Sequence, residues 1–152
     1  MAITTLGANA IGTLSGTNLP TGSVLQTLQA NKTDRQTIQS TSFVNILTQA
    51  ITPSATSSGI LIMAYVTTSG YGYYDVKVTR NDANIDNASG TGVGIGDQVG
   101  SNRTRSAAHF YRVTNYLTGY NSDTPCIVLL DYPNTTSAIT YKIKGATPND
   151  AS

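Results

Sequence analysis

Seven consecutive apolar residues, Ile60-Leu-Ile-Met-Ala-Tyr-Val66, constrain this chain more than any other stretch. A turn signal precedes them, Pro53-Ser-Ala-Thr-Ser-Ser-Gly59, in which proline presets φ and the hydroxyl side chains compete for backbone hydrogen bonds. A short apolar run bounded by turn residues reads as a strand buried on both faces, the middle of a β core. The segments around such a centre should be weaker, more alternating strands.

The rest of the chain fits that expectation. Residues 23–29 alternate loosely, and 31–40 are polar, an edge or a loop. Residues 43–51 put Phe43, Leu47 and Ile51 on one face and Val44 and Ile46 on the other. Their period also admits a helix, but β-branched content and Ser/Thr flanks favour a strand. Residues 71–80 show a period of two, with Tyr74, Val76 and Val78 inward and Tyr73, Asp75, Lys77 and Thr79 outward. Residues 81–105 are loop-rich, 106–117 aromatic and strand-like, and 123–132 a strongly apolar strand ended by Pro133. Ile139, Tyr141 and Ile143 mark the inward face of a last strand. About seven or eight strands, with turn signals every ~8–15 residues and no convincing helix, predict an all-β fold, an antiparallel β-sandwich or jelly roll.

Three regions are expected within the 152 residues: an extended N-terminal arm (1–22), a β-sandwich domain (23–145) and a C-terminal tail (146–152). The arm is rich in Gly, Thr and Asn and too poor in apolar residues for a core of its own. Stretched, it could reach about 70 Å, at ~3.3 Å per residue, onto a neighbouring subunit.

Charged residues make up only 11% of the chain, against about 25% in an average globular protein, so the surface is neutral and hydroxyl-rich. A net charge of +1 without a basic stripe argues against nucleic-acid binding, which draws on clustered Lys and Arg. It also provides little repulsion between copies. The lone cysteine, Cys126, excludes an intrachain disulfide and is expected to be a small buried hydrophobe. No charged segment leads into an apolar core at the N-terminus, so no signal peptide is expected. No apolar run approaches the ~18 residues of a membrane-spanning helix, and no membrane insertion is expected.

The candidate chemical motifs fail one by one. Gly90-Thr-Gly-Val-Gly-Ile-Gly96 supplies no register of a dinucleotide fingerprint and no Lys-Ser/Thr pair for a P-loop. Asp82-Ala-Asn-Ile-Asp-Asn87 opens like a calcium loop but has Asn87 at the glycine position and Val93 at the bidentate glutamate position. Solvated turn residues describe it better. His109, the only histidine, has Asp75, Asp97, Asp123 and Asp131 as potential partners, yet no nucleophile elbow appears anywhere. No catalytic, cofactor or metal residue is expected, and the chain is read as a non-enzyme. Tyr71, Tyr73 and Tyr120 lie beside Gly or Asn in turn-like settings, where aromatic rings could stack on a glycan, anchor a partner or cap sandwich edges. Arg103 and Arg105 close the long loop, either solvated or as a polar clamp on another subunit.

Several phrases taken in order carry a resemblance. Leu19-Pro-Thr-Gly-Ser-Val-Leu-Gln26, Ile51-Thr-Pro-Ser-Ala-Thr-Ser-Ser-Gly-Ile-Leu61, Gly96-Asp-Gln-Val-Gly-Ser-Asn-Arg-Thr-Arg105 and Leu130-Asp-Tyr-Pro-Asn-Thr-Thr-Ser-Ala138, followed by Thr140-Tyr-Lys142, together cover most of residues 19–144. Their order and spacing resemble small virion structural proteins of marine and cyanobacterial tailed phages, usually labelled tail-fibre or virion structural proteins. The resemblance implies a capsid-decorating (cement) or tail-fibre protein located on the virion. It also implies a homo-oligomer, a trimer by analogy, touching a major capsid or tail protein. A lectin-like receptor binder for host-surface glycans is the alternative, and a polysaccharide hydrolase a more distant one. Two departures stand out. The family pattern continues with further strands beyond Lys144, so this is a shortened member or a partner supplies strands. Gly59 stands where the family carries lysine, which removes a gatekeeping charge before the most apolar strand.

Overall fold

The computed structural model describes residues 19–20, 22–69, 72–85, 105–112 and 122–148. Within them run nine strands: β1 (Val44–Ile51), β2 (Ile60–Tyr65), β3 (Thr68–Ser69), β4 (Gly72–Arg80), β5 (Ala83–Asn84), β6 (Ala108–Arg112), β7 (Ser122–Asp123), β8 (Cys126–Asp131) and β9 (Ile139–Ala146). Every pairing is antiparallel, and the described residues contain no helix. The fold is all-β. Most of the arm expected over 1–22 and most of the 81–105 loop lie outside the described residues, as do 113–121.

The main sheet has the order β1-β9-β4-β5, with β6 on the same side of β4 as β5. Its centre is β4 and β9, joined from Asp75↔Ala146 to Arg80↔Tyr141. Of the inward set read from the sequence, Val76, Val78, Ile139, Tyr141 and Ile143 are buried in one cluster with Ile127 and Leu129 of β8, and Tyr74 packs against it half-buried. A two-residue turn leads from β4 into β5, and both of its residues adopt positive φ, Asn81 at 49° and Asp82 at 65°. Asn and Asp tolerate that region, and a two-residue hairpin in a right-twisted sheet calls for it. Asn81 then extends the neighbouring ladder: its N–H donates to the Thr140 carbonyl (2.8 Å) and its Oδ1 accepts the Thr140 N–H (2.9 Å).

A separate two-stranded ribbon packs on this sheet, with Ile127 and Leu129 in the same core cluster. β2 pairs with β8 from Ile60↔Asp131 to Tyr65↔Cys126, and β3 pairs with β7 from Thr68↔Asp123 to Ser69↔Ser122. The register is the same throughout, so the two short sheets are one ribbon broken where Pro125 has no N–H to give. Across the break the Val66 N–H donates to the Pro125 carbonyl (3.2 Å), and the Thr67 and Thr124 hydroxyls meet at 3.0 Å. The turn ahead of β2 closes with a Ser58 N–H to Ala55 carbonyl bond of 3.0 Å, as the Pro53–Gly59 signal predicts.

Four expectations need correction. Residues 23–29 join no sheet, and Val24, Leu25 and Leu28 are exposed; loose alternation without a partner strand buries nothing. In β1 the register shifts between Asn45 and Leu47, so Ile46 and Leu47 both pack on the core instead of facing opposite ways. In β4 the outward positions Asp75 and Thr79 are as buried as Val76 and Val78, because this central strand is covered on both sides. The apolar run Ile60–Val66 is the reverse case: it is covered on one face alone.

Candidate association surface

That half-covered run builds the most unusual surface among the described residues. Side chains alternate across a strand, so Ile60, Ile62, Ala64 and Val66 face the core while Leu61, Met63 and Tyr65 face away. β8 repeats the pattern, with Ile127, Leu129 and Asp131 inward and Cys126, Val128 and Leu130 outward. Antiparallel register lines the outward residues up in rows: Leu61 opposite Leu130, Met63 opposite Val128, Tyr65 opposite Cys126. Leu61, Met63, Tyr65, Val128 and Tyr132 keep 57% to 68% of their surface exposed. An alternating strand with one wet face should read apolar-in, polar-out. Here the wet face is as oily as the dry one.

Two details sharpen the surface. Cys126, expected to be buried, is exposed on it, because its place in the ribbon falls on the outward phase. The neighbouring Cys126 side chain raises the Tyr65 hydroxyl above the usual tyrosine range. Gly59 lies at the rim, where a Cβ would stand 3.0 Å from the Tyr132 ring and 3.3 Å from Leu130. No charged side chain occurs among the outward positions of β2 and β8.

Of the residues singled out from sequence, Tyr71, Tyr120 and Arg103 lie outside the described residues. Arg105 is half-buried ahead of β6. Tyr73 sits on β4 and stacks on His109 of β6, with ring centroids 5.5 Å apart. His109 Nδ1 meets Oδ1 of Asp75, its register partner, at 2.5 Å. Asp75 therefore orients the only imidazole, as in the second and third members of a hydrolytic triad. The candidate calcium ligand Asp82 is instead held by Lys142 Nζ at 2.6 Å and Lys144 Nζ at 2.7 Å. The hydrogen bonds from Lys142 and Lys144 lower its carboxyl to about 2. Among the described residues no group of three or more metal-ligating side chains comes together.

Compared with family models, curated proteins and solved structures, the chain matches none.

The sequence signal for this surface is two apolar runs without a polar interruption, Ile60–Val66 and Cys126–Leu130, which pair with each other.

Proposed function

We propose that this chain is a non-enzymatic structural β-domain that works by association, displayed on a tailed-phage particle as a capsid-decorating or tail-fibre protein. The single observation behind the association is the apolar outer face of the β2/β8 ribbon. Monomeric proteins rarely leave contiguous apolar patches larger than a few hundred Å² open to water. Behind the phage setting stands the resemblance over residues 19–144. We read the main sheet and the ribbon as the two layers of a β-sandwich, with the N-terminal 22 residues as an arm toward a neighbour.

The lectin-like alternative keeps one specific feature, the Tyr73–His109 stack held by Asp75. Tyr73 already spends a ring face on the imidazole, which leaves less of it for a sugar. A hydrolase would need a nucleophile beside His109, and the sequence offers no elbow for one.

Imaging of purified particles at a resolution that traces side chains tests the reading. It predicts this chain at a repeated, symmetric position with the ribbon face covered. Particles that lack the chain, together with a purified protein that associates with nothing, would overturn it.

A further inference from the structure

We propose that the outer face of the β2/β8 ribbon is covered by the same face of a second copy of this chain, the two ribbons packing sheet on sheet. The inference rests on the association reading above and names the partner for it. Three observations point to a second copy.

The first is a mismatch between what the two strands are written for and what one chain does with them. Uninterrupted apolar runs belong to strands covered on both sides. The main sheet covers one side, through Ile62, Ile127 and Leu129. The other side is left with Leu61, Met63, Tyr65, Val128 and Leu130, residues that charge or hydroxyl would replace on a face meant for water.

The second is chemistry. The rows Leu61–Leu130, Met63–Val128 and Tyr65–Cys126 offer no charge for an acidic or basic partner to meet. An uncharged sheet face is self-complementary, since facing sheets interdigitate alternate side chains about 10 Å apart. The chain's net charge of +1 adds almost no repulsion between copies.

The third is size. Six large apolar side chains at roughly half exposure present on the order of 600 Å², so two faces together bury ~1,200 Å², the lower bound for a specific interface. Two-fold packing places the middle row, Met63 and Val128, nearest the axis.

The test uses charge at that middle row. Met63→Lys and Met63→Glu are made in the full chain, and mass is followed by sedimentation from nanomolar to high micromolar concentration. Met63 is exposed, so both variants are expected to keep the wild-type circular dichroism and melting temperature. The wild type is expected to associate in the micromolar range. Each variant alone is expected to lose that association, because like charges would meet in a water-free contact. An equimolar mixture of the two is expected to regain it, as lysine then faces glutamate. Wild-type association that both variants retain would overturn the ribbon face as the contact while leaving the association reading in place. A wild type that stays monomeric at every concentration, yet is found on particles, would overturn self-pairing in favour of a different virion protein. Variants that fail to associate alone and also when mixed, beside a wild type that associates, would show that Met63 does not meet its own counterpart across a two-fold axis and would overturn the proposal.

Discussion

The Tyr141 hydroxyl donates to Oδ2 of Asp131 at 2.6 Å, and Arg80 Nη1 reaches both oxygens of the same carboxylate at 2.8 Å. Asp131 ends β8 in the ribbon, whereas Arg80 and Tyr141 are register partners on β4 and β9 of the main sheet. This buried carboxylate therefore pins the ribbon to the main sheet. It keeps the ribbon's inner face on the core, and so fixes which side chains point outward.

Replacing Asp131 with alanine should cost about 2–3 kcal/mol, because a partly buried guanidinium and a buried hydroxyl lose their acceptor together. Tyr141→Phe removes one bond to a charged group and should cost about 1–2 kcal/mol. Burial, then the hydrogen bond to Asp131, raises the Tyr141 hydroxyl well above its usual range. A raised folded pKa contributes stability that is whole below the unfolded value near 10 and declines as pH climbs past it. Denaturant titrations at rising pH should show alkaline destabilisation in the wild type that Tyr141→Phe lacks.

Asp82 behaves in the opposite sense. Its carboxyl is lowered from 3.8 to about 2 by Lys142 and Lys144. A depressed folded pKa contributes stability that is present above the unfolded value and lost as pH falls through the folded one. Asp82→Asn should therefore flatten the stability curve between pH ~4 and ~2, with high salt mimicking part of the effect because the pairs are exposed. Thermal melts across that window check it.

Gly145 of β9 sits where a Cβ would come within 2.9 Å of Ile46 Cδ1 and 3.1 Å of both Ile38 Cδ1 and the Tyr74 hydroxyl. Two of these contacts are the ends of isoleucine side chains, which can shift, so alanine should be mild. Valine crowds all three and should destabilise by about 1–3 kcal/mol as overpacking. Equilibrium unfolding of the two variants side by side separates these outcomes.

Gly59→Lys tests the rim of the outer face. Its Cβ would press on the Tyr132 ring, the movable end of an exposed side chain, so the fold should survive. The ammonium would hang over the apolar rows as a gatekeeping charge. Association should weaken at least about tenfold while the melting temperature stays within a few degrees, read by sedimentation and calorimetry.

Much of the main sheet was legible because its signals are local. The period of two in Ile139, Tyr141 and Ile143 and in Val76 and Val78 named the core directly. The misreadings share a cause that no local pattern carries, namely what lies against a strand. The shift at Ile46 arises in pairing with β9. Asp75 and Thr79 are buried because β4 is covered on both faces, and polar identity gave no hint of that. In the other direction, the apolar run of β2 promised two buried faces and found one cover among the described residues. His109 and Asp75 were among the candidate residues, but their pairing depends on β4 lying beside β6. Cys126 was assigned to the interior by its apolar neighbours, and ribbon phase alone turns it out.

That outward turn makes Cys126 a reporter for pairing of the ribbon faces, since it is the chain's one thiol and lies on that face. Its reaction rate with a small thiol reagent, followed in the wild type across a dilution series, tests most directly whether copies cover that face. Labelling should be slow at high concentration and rise on dilution to the rate of a fully exposed thiol as the copies separate. A rate that is the same at every concentration, in a sample that sedimentation shows to be associated, would contradict that pairing.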